Sequence, residues 1–156
     1  MYTRALYSFL LSQINTNLVV ILINRPQLGI GTLLTPNEID ARLNITMAQA
    51  ALWEISGYSR FIITNPIITI PTRTVPTASL ISTATFTPSG GSIGPFTHAL
   101  VVRGANLTGA SPANGNNRGS NVGTVVHIET VVSAPLSVAP PAVYNYTINL
   151  LLNEQV

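Results

Sequence analysis

The chain has no cysteine and no lysine among its 156 residues. Without cysteine there is no disulfide framework, no thiolate nucleophile and no cysteine-based metal site. Charge is scarce too. Seven arginines and five acids make only 8% of the chain charged, against about 25% in an ordinary soluble domain. A solvated monomer normally covers itself in ionic side chains. Here Ser, Thr, Asn, Gln and backbone must do that work, or a partner must cover the rest. The surplus of two positive charges comes from Arg4, Arg25, Arg42, Arg60, Arg73, Arg103 and Arg118, which are spread along the chain. No three cluster, so the electrostatic footprint of a nucleic-acid binder is missing. Long apolar runs are also lacking. The longest is Leu18 to Ile23, whereas a membrane-spanning helix needs about twenty residues. Arg4 precedes an apolar stretch, but Ser8, Ser12, Gln13, Asn15 and Asn17 interrupt it and no small-x-small cleavage pattern follows. Neither a secretion signal nor a membrane span is expected.

What is present reads as strands. Leu18 to Ile23 is short, rich in β-branched residues and ended by Asn24-Arg-Pro26, the signature of a buried strand. Phe61 to Thr64, Ile67 to Ile70, Ser79 to Phe86, Thr97 to Arg103, Gly123 to Val132 and Tyr144 to Leu152 are further strands, separated by Pro, Gly, Asn and Ser. Ser82 to Thr87 and Tyr144 to Leu150 alternate as half-buried strands do. Two short helices interrupt the pattern. Thr35-Pro-Asn-Glu38 has the cap, first-turn proline and reaching glutamate of a capping box, which predicts a helix to about Leu43. Thr46 caps a second helix over Met47 to Leu52. Residues 1–17 read as an arm or short helix. Residues 18–156 read as one mostly β domain, an antiparallel β-sandwich of jelly-roll type with a helical excursion over about 36–52. The arm carries Tyr2, Leu6, Phe9 and Leu10, apolar enough to require docking on its own domain or on a neighbour. Asn106 to Asn121 is a long loop of small polar residues.

Chemistry can be weighed by elimination. A metal site needs three or four ligands. His98, His127 and Glu129 could supply them on paper, but hydrogen-bonded histidines on a sheet are the stronger reading. The acids Glu38, Asp40, Glu54, Glu129 and Glu154 are scattered. No serine sits in a Gly-x-Ser-x-Gly elbow. Ser89 to Gly94 is glycine-rich but lacks the lysine and the helix of a phosphate cradle. The glycosylation patterns at Asn44, Asn106 and Asn145 are chance matches in an Asn- and Thr-rich chain. No catalytic residue, cofactor or metal is expected, and the chain reads as a non-enzyme.

One segment stands out. Glu54-Ile-Ser-Gly-Tyr-Ser-Arg60 places an acid, a turn-permitting glycine, an aromatic and an arginine ahead of a strand. These residues point to a structural brace built from Glu54, Gly57, Tyr58 and Arg60, in which Arg60 pairs with Glu54 or bonds carbonyls at the mouth of the sandwich. The segment resembles a motif of small tailed-bacteriophage virion proteins, written loosely E-[LIV]-x-G-x-GYAR. The lead-in Thr46 to Leu52 is similar. So is Gly94 to Val102, set beside that family's W-G-x-[VI]-T-H-[FV]-G-[LI]. Pro95 and Phe96 replace part of that stretch, and Ala99 stands where glycine is usual. The likeness spans about residues 18–152. It implies a sandwich mounted on a phage particle, as a tail-fibre-like, head-fibre or capsid decoration protein. Taken with the low charge, the Pro- and Thr-rich strands and the apolar N-terminal segment, the expectation is a capsid cement or decoration protein on the head rather than the tail, held by the major capsid protein as a homo-oligomer, trimer or dimer, with no nucleic-acid or membrane contact. The alternatives are a tail, fibre-base or baseplate component, and a carbohydrate-binding module using Trp53, Tyr58, Tyr144 or Tyr146.

Overall fold

The computed structural model describes residues 18–31, 33–69, 77–104, 123–130 and 134–153. The arm residues Tyr2, Leu6, Phe9 and Leu10, the loop 106–121 and Glu154 lie outside the described residues. The described chain is an antiparallel β fold with two short helices. Its strands are β1 (Leu18–Ile23), β2 (Phe61–Ile62), β3 (Ile67–Thr69), β4 (Thr77–Phe86), β5 (Ile93–Phe96), β6 (His98–Arg103), β7 (Thr124–Thr130), β8 (Leu136–Val138) and β9 (Tyr144–Asn153). Helices α1 (Pro36–Leu43) and α2 (Met47–Trp53) lie between β1 and β2. The strand orders are β2-β1-β6-β7, β3-β4-β9 and β5-β8. Among the described residues these sheets hold four, three and two strands, a sandwich-like antiparallel arrangement.

The four-stranded sheet is covered on both faces. Every residue of β1 is buried. Its even positions Leu18, Val20 and Leu22 join Leu80, Phe86, Ile148 and Leu150 in the core of the sandwich. Its odd positions Val19, Ile21 and Ile23 join Met47, Ala50 and Ala51 of α2 in a second core. Strand β6 divides in the same way, Ala99 and Val101 to one side, Leu100 and Val102 to the other. This explains the unbroken apolar runs of both strands, since a strand wet on neither face has no reason to alternate. Each such side chain contributes about 1.5–3 kcal/mol through burial. Helix α2 is therefore the second cover of the sheet, while α1 buries none of its residues. Both start with complete capping boxes, Thr35 with Glu38 and Thr46 with Gln49.

The three-stranded sheet has one wet face. Strands β4 and β9 pair through ten residues in continuous register. Ala78, Leu80, Ala84, Phe86, Tyr146, Ile148 and Leu150 point inward. Their neighbours Thr83, Thr85, Asn145, Thr147, Asn149 and Leu151 are exposed, and the Thr85 hydroxyl donates to Asn145 Oδ1 at 2.7 Å. An aromatic cluster closes one end of this core. The Phe86 ring meets Tyr58 and Phe61 edge-on and stacks on Tyr144. Phe96 meets Tyr144 at 4.8 Å between centroids, a favourable T-shaped geometry.

Candidate functional site

The polar chemistry of the described interior gathers where the chain leaves β1. Strand β2 pairs with β1 only at Val19 and Val20, so the outer edge of β1 beyond them needs other partners. Residues 53–58 supply them. Asn24 N–H donates to the Trp53 carbonyl, and Ile55 N–H donates to the Leu22 carbonyl. The Leu22 N–H donates to the Tyr58 hydroxyl at 2.7 Å, so a phenol stands in for the carbonyl that a neighbouring strand would offer. Ile23 and Glu54 form a β-bridge.

The Tyr58 hydroxyl in turn donates to Glu54 Oε1 at 2.9 Å. Arg60 grips the same carboxylate with two bonds, Nε to Oε1 at 2.8 Å and the terminal NH2 to Oε2 at 2.5 Å. The side chains of Glu54 and Arg60 are each 1% exposed. Burial opposes the Arg60 charge, but the bonds and charge of Glu54 outweigh it and raise its pKa. Burial, then the Glu54 charge, pushes the Tyr58 phenol well above its ordinary range, so Tyr58 stays protonated and able to donate. Gly57 makes the turn possible. Its φ is +90°, and a Cβ there would run into the Ser92 carbonyl oxygen. The structure thus brings Glu54, Gly57, Tyr58 and Arg60 into one buried cluster. Arg60 turns inward rather than into solvent.

A second network, not foreseen from the sequence, lies beside it. His98 is opposite Ile23 in the β1–β6 ladder and is fully buried. The Arg42 NH2 group of α1 lies 3.1 Å from His98 Nε2 and also donates to the Gly29 carbonyl and Thr130 Oγ1. Arg42 Nε donates to the Leu28 carbonyl at 2.6 Å. A guanidinium only donates, so His98 Nε2 accepts and Nδ1 carries the proton. That proton faces Thr97 Oγ1 at 2.7 Å. Thr97 Oγ1 also accepts from Arg25 N–H and donates to the Ile23 carbonyl. Burial first, and the Arg42 charge second, lower the His98 pKa to about 4, against an opposing bond toward Gly29. The imidazole is neutral at physiological pH.

A threonine hydroxyl beside a histidine invites comparison with a nucleophile and its base. The geometry does not support that role. Thr97 and His98 are both inaccessible, and the hydroxyl proton and both ring nitrogens are already engaged. The cluster ties α1, β1, β6 and β7 together and offers no substrate a route to it.

The trio His98, His127 and Glu129 does not assemble. His98 pairs with Thr130 across the β6–β7 ladder, while Glu129 pairs with Ala99 and His127 with Val101. Paired residues share a face and successive residues alternate, so His98 faces the helices while His127 and Glu129 face the other way. His127 and Glu129 do share their face, and His127 Nε2 lies 3.1 Å from Glu129 Oε2. No group of three metal-ligating side chains occurs among the described residues. The sugar-stacking candidates are also turned inward. Tyr58 and Tyr146 are buried, Tyr144 belongs to the aromatic cluster, and Trp53 lies under the Arg25 guanidinium at 4.7 Å.

Set beside known protein families, curated proteins and solved structures, the chain matches none.

Proposed function

We propose that this chain is a non-enzymatic structural subunit of an assembly, a phage virion protein of the capsid cement or decoration type. The observation that carries the reading is the three-stranded sheet. Strands β3, β4 and β9 contain no charged residue at all, yet one face of that sheet meets solvent. Exposed apolar side chains sit on this sheet, namely Ile67, Ile68 and Leu151. Soluble monomers defend sheet edges and faces with lysine, proline or inward charge. This chain spends its buried charge on the Glu54–Arg60 pair and leaves that sheet undefended, as a surface meant to be covered would be. The virion setting rests on the resemblance of residues 54–60 and 94–102 to the phage family. Interaction with a major capsid protein would proceed through apolar and hydrogen-bond contacts over roughly 1,000 Å² or more.

A tail, fibre-base or baseplate position is the second reading, and shares the same physical basis. The carbohydrate-binding reading is weaker, since it needs aromatic rings in an open groove and the four candidates do not offer them. The deciding experiment is density or labelling of the purified particle. High copy number on the head supports the cement reading. Density confined to the tail replaces it with the second reading, and absence from the particle removes both.

A further inference from the structure

The four-stranded sheet ends at β7, and among the described residues nothing pairs with the outer edge of that strand. The contrast with its neighbours is sharp. In β6 every residue from His98 to Val102 is buried, whereas no residue of β7 is. Beside this edge runs a groove of about 260 Å³ lined by Arg42, Leu43 and Ile45 on the helical side and by Val125, Val126, His127 and Ile128 on the strand. An open strand edge next to such a partly apolar groove is the arrangement that accepts an added strand: backbone bonds supply affinity and the groove takes side chains.

We infer that the added strand is β7 of a second copy, joined edge to edge about a two-fold axis at Ile128. The inference deepens the assembly reading and rests on it for the expectation that the chain self-associates. The argument is the complementarity of the strand with itself, an imidazole and a carboxylate on one face. The strand reads Thr124-Val-Val-His-Ile-Glu-Thr130. Antiparallel pairing centred on Ile128 places His127 opposite the partner subunit's Glu129, and Glu129 opposite the partner subunit's His127. Ile128 meets its own copy, and Val126 meets the partner subunit's Thr130. An imidazole and a carboxylate directly across a ladder can hydrogen-bond, whereas two like groups there are unfavourable, so this register is selected. Shifting the axis to His127 would instead set Glu129 against Val125. In the free chain His127 and Glu129 satisfy one another along the strand, and in the dimer each gains a cross-strand partner. The result is a continuous eight-stranded sheet in which neither copy keeps β7 as an edge.

The absence of cysteine makes the test direct. Across the proposed axis the two Ile128 Cα atoms would lie about 4.5–5.5 Å apart, within disulfide reach. Mild oxidation of Ile128→Cys should give a covalent dimer nearly quantitatively, while Leu151→Cys, on the exposed face of the other sheet, should react slowly. Equal rates, or an Ile128→Cys chain that folds but stays monomeric, overturn the inference. A second series avoids the partly buried position. His127→Glu should raise the dimer dissociation constant about tenfold, and adding Glu129→Lys should restore it. Dissociation unchanged by His127→Glu, or not rescued by the double exchange, also overturns it. Loss of pairing with the chain still abundant in the particle removes this interface and leaves the assembly reading. Pairing intact with the chain absent from the particle does the reverse.

Discussion

The two ends of the four-stranded sheet are built on opposite plans. At the Ile23 end of β1, Glu54, Tyr58, Arg60, Thr97 and His98 are paired inside the protein, and the Glu54–Arg60 charge pair is sealed in. Among the described residues the sheet stops at β7, its residues stay partly wet, and a partly apolar groove lies open beside them. The first region fixes the fold and the second is available for contact. In a chain with so little charge, where the ionic groups are placed is therefore informative: Glu54 and Arg60 are placed in the interior, where they hold the fold together.

That comparison can be broken at its interior end first. Glu54→Ala leaves the Arg60 guanidinium buried without its carboxylate, and should lower unfolding stability by about 3–5 kcal/mol in urea. A loss under about 1 kcal/mol would mean that the pair is not the lock described here. Next come the apolar layers. Ile21→Ala and Leu22→Ala should each cost about 2–5 kcal/mol, because β1 is buried on both faces. In β9 only the inward residue should behave that way: Ile148→Ala costs as much, while the exposed Asn149→Ala stays within about 0.5 kcal/mol. Equal effects at Ile148 and Asn149 would contradict the register of that strand.

Acid should expose the second network. The folded-state pKa of His98 is about 4, below its unfolded value of about 6.5. Between those values the unfolded chain binds more protons, so stability falls as pH drops from 6.5 to 4. The loss from this group is up to about 3 kcal/mol, and is complete below the folded pKa. His98→Gln should flatten that part of a stability-against-pH curve measured by chemical unfolding. An unchanged slope would show that His98 is not held neutral. A smaller effect than the Glu54 loss is expected from Tyr58→Phe, which strands the Leu22 N–H and should cost about 1–3 kcal/mol with the fold retained.

Much of the fold was legible in the sequence because strand burial writes itself as pattern. Leu18 to Ile23 read as buried because it is unbroken, and Tyr144 to Leu150 as half-buried because it alternates. Both helices were visible from their caps, whose chemistry is local. Strands β5 and β8 were not anticipated. Each is short, and Gly94 and Pro95 in β5 are residues that usually mark a turn; these strands exist because they pair with each other. Phe61 to Thr64 was expected as a longer strand than the two residues of β2, since the backbone of residues 53–58 takes over the edge of β1.

The candidate site divides along the same line. Glu54, Gly57, Tyr58 and Arg60 are close in sequence, so their convergence could be read from spacing. Arg42, His98 and Thr130 come from three distant elements, and no local pattern links them. One signal was available. His98 lies in a continuous run, His-Ala-Leu-Val-Val102, of the kind buried on both faces, whereas His127 lies in a strand that is never fully covered. That difference separates a core histidine from an edge histidine before any contact is known.

The most direct test of the account is sedimentation equilibrium of the unaltered chain from about 1 μM to 1 mM. Reversible association into a defined dimer is the predicted result. A chain that sediments as a single soluble subunit across the whole range would show that its uncharged surface needs no protein neighbour, and the account would be wrong at its base.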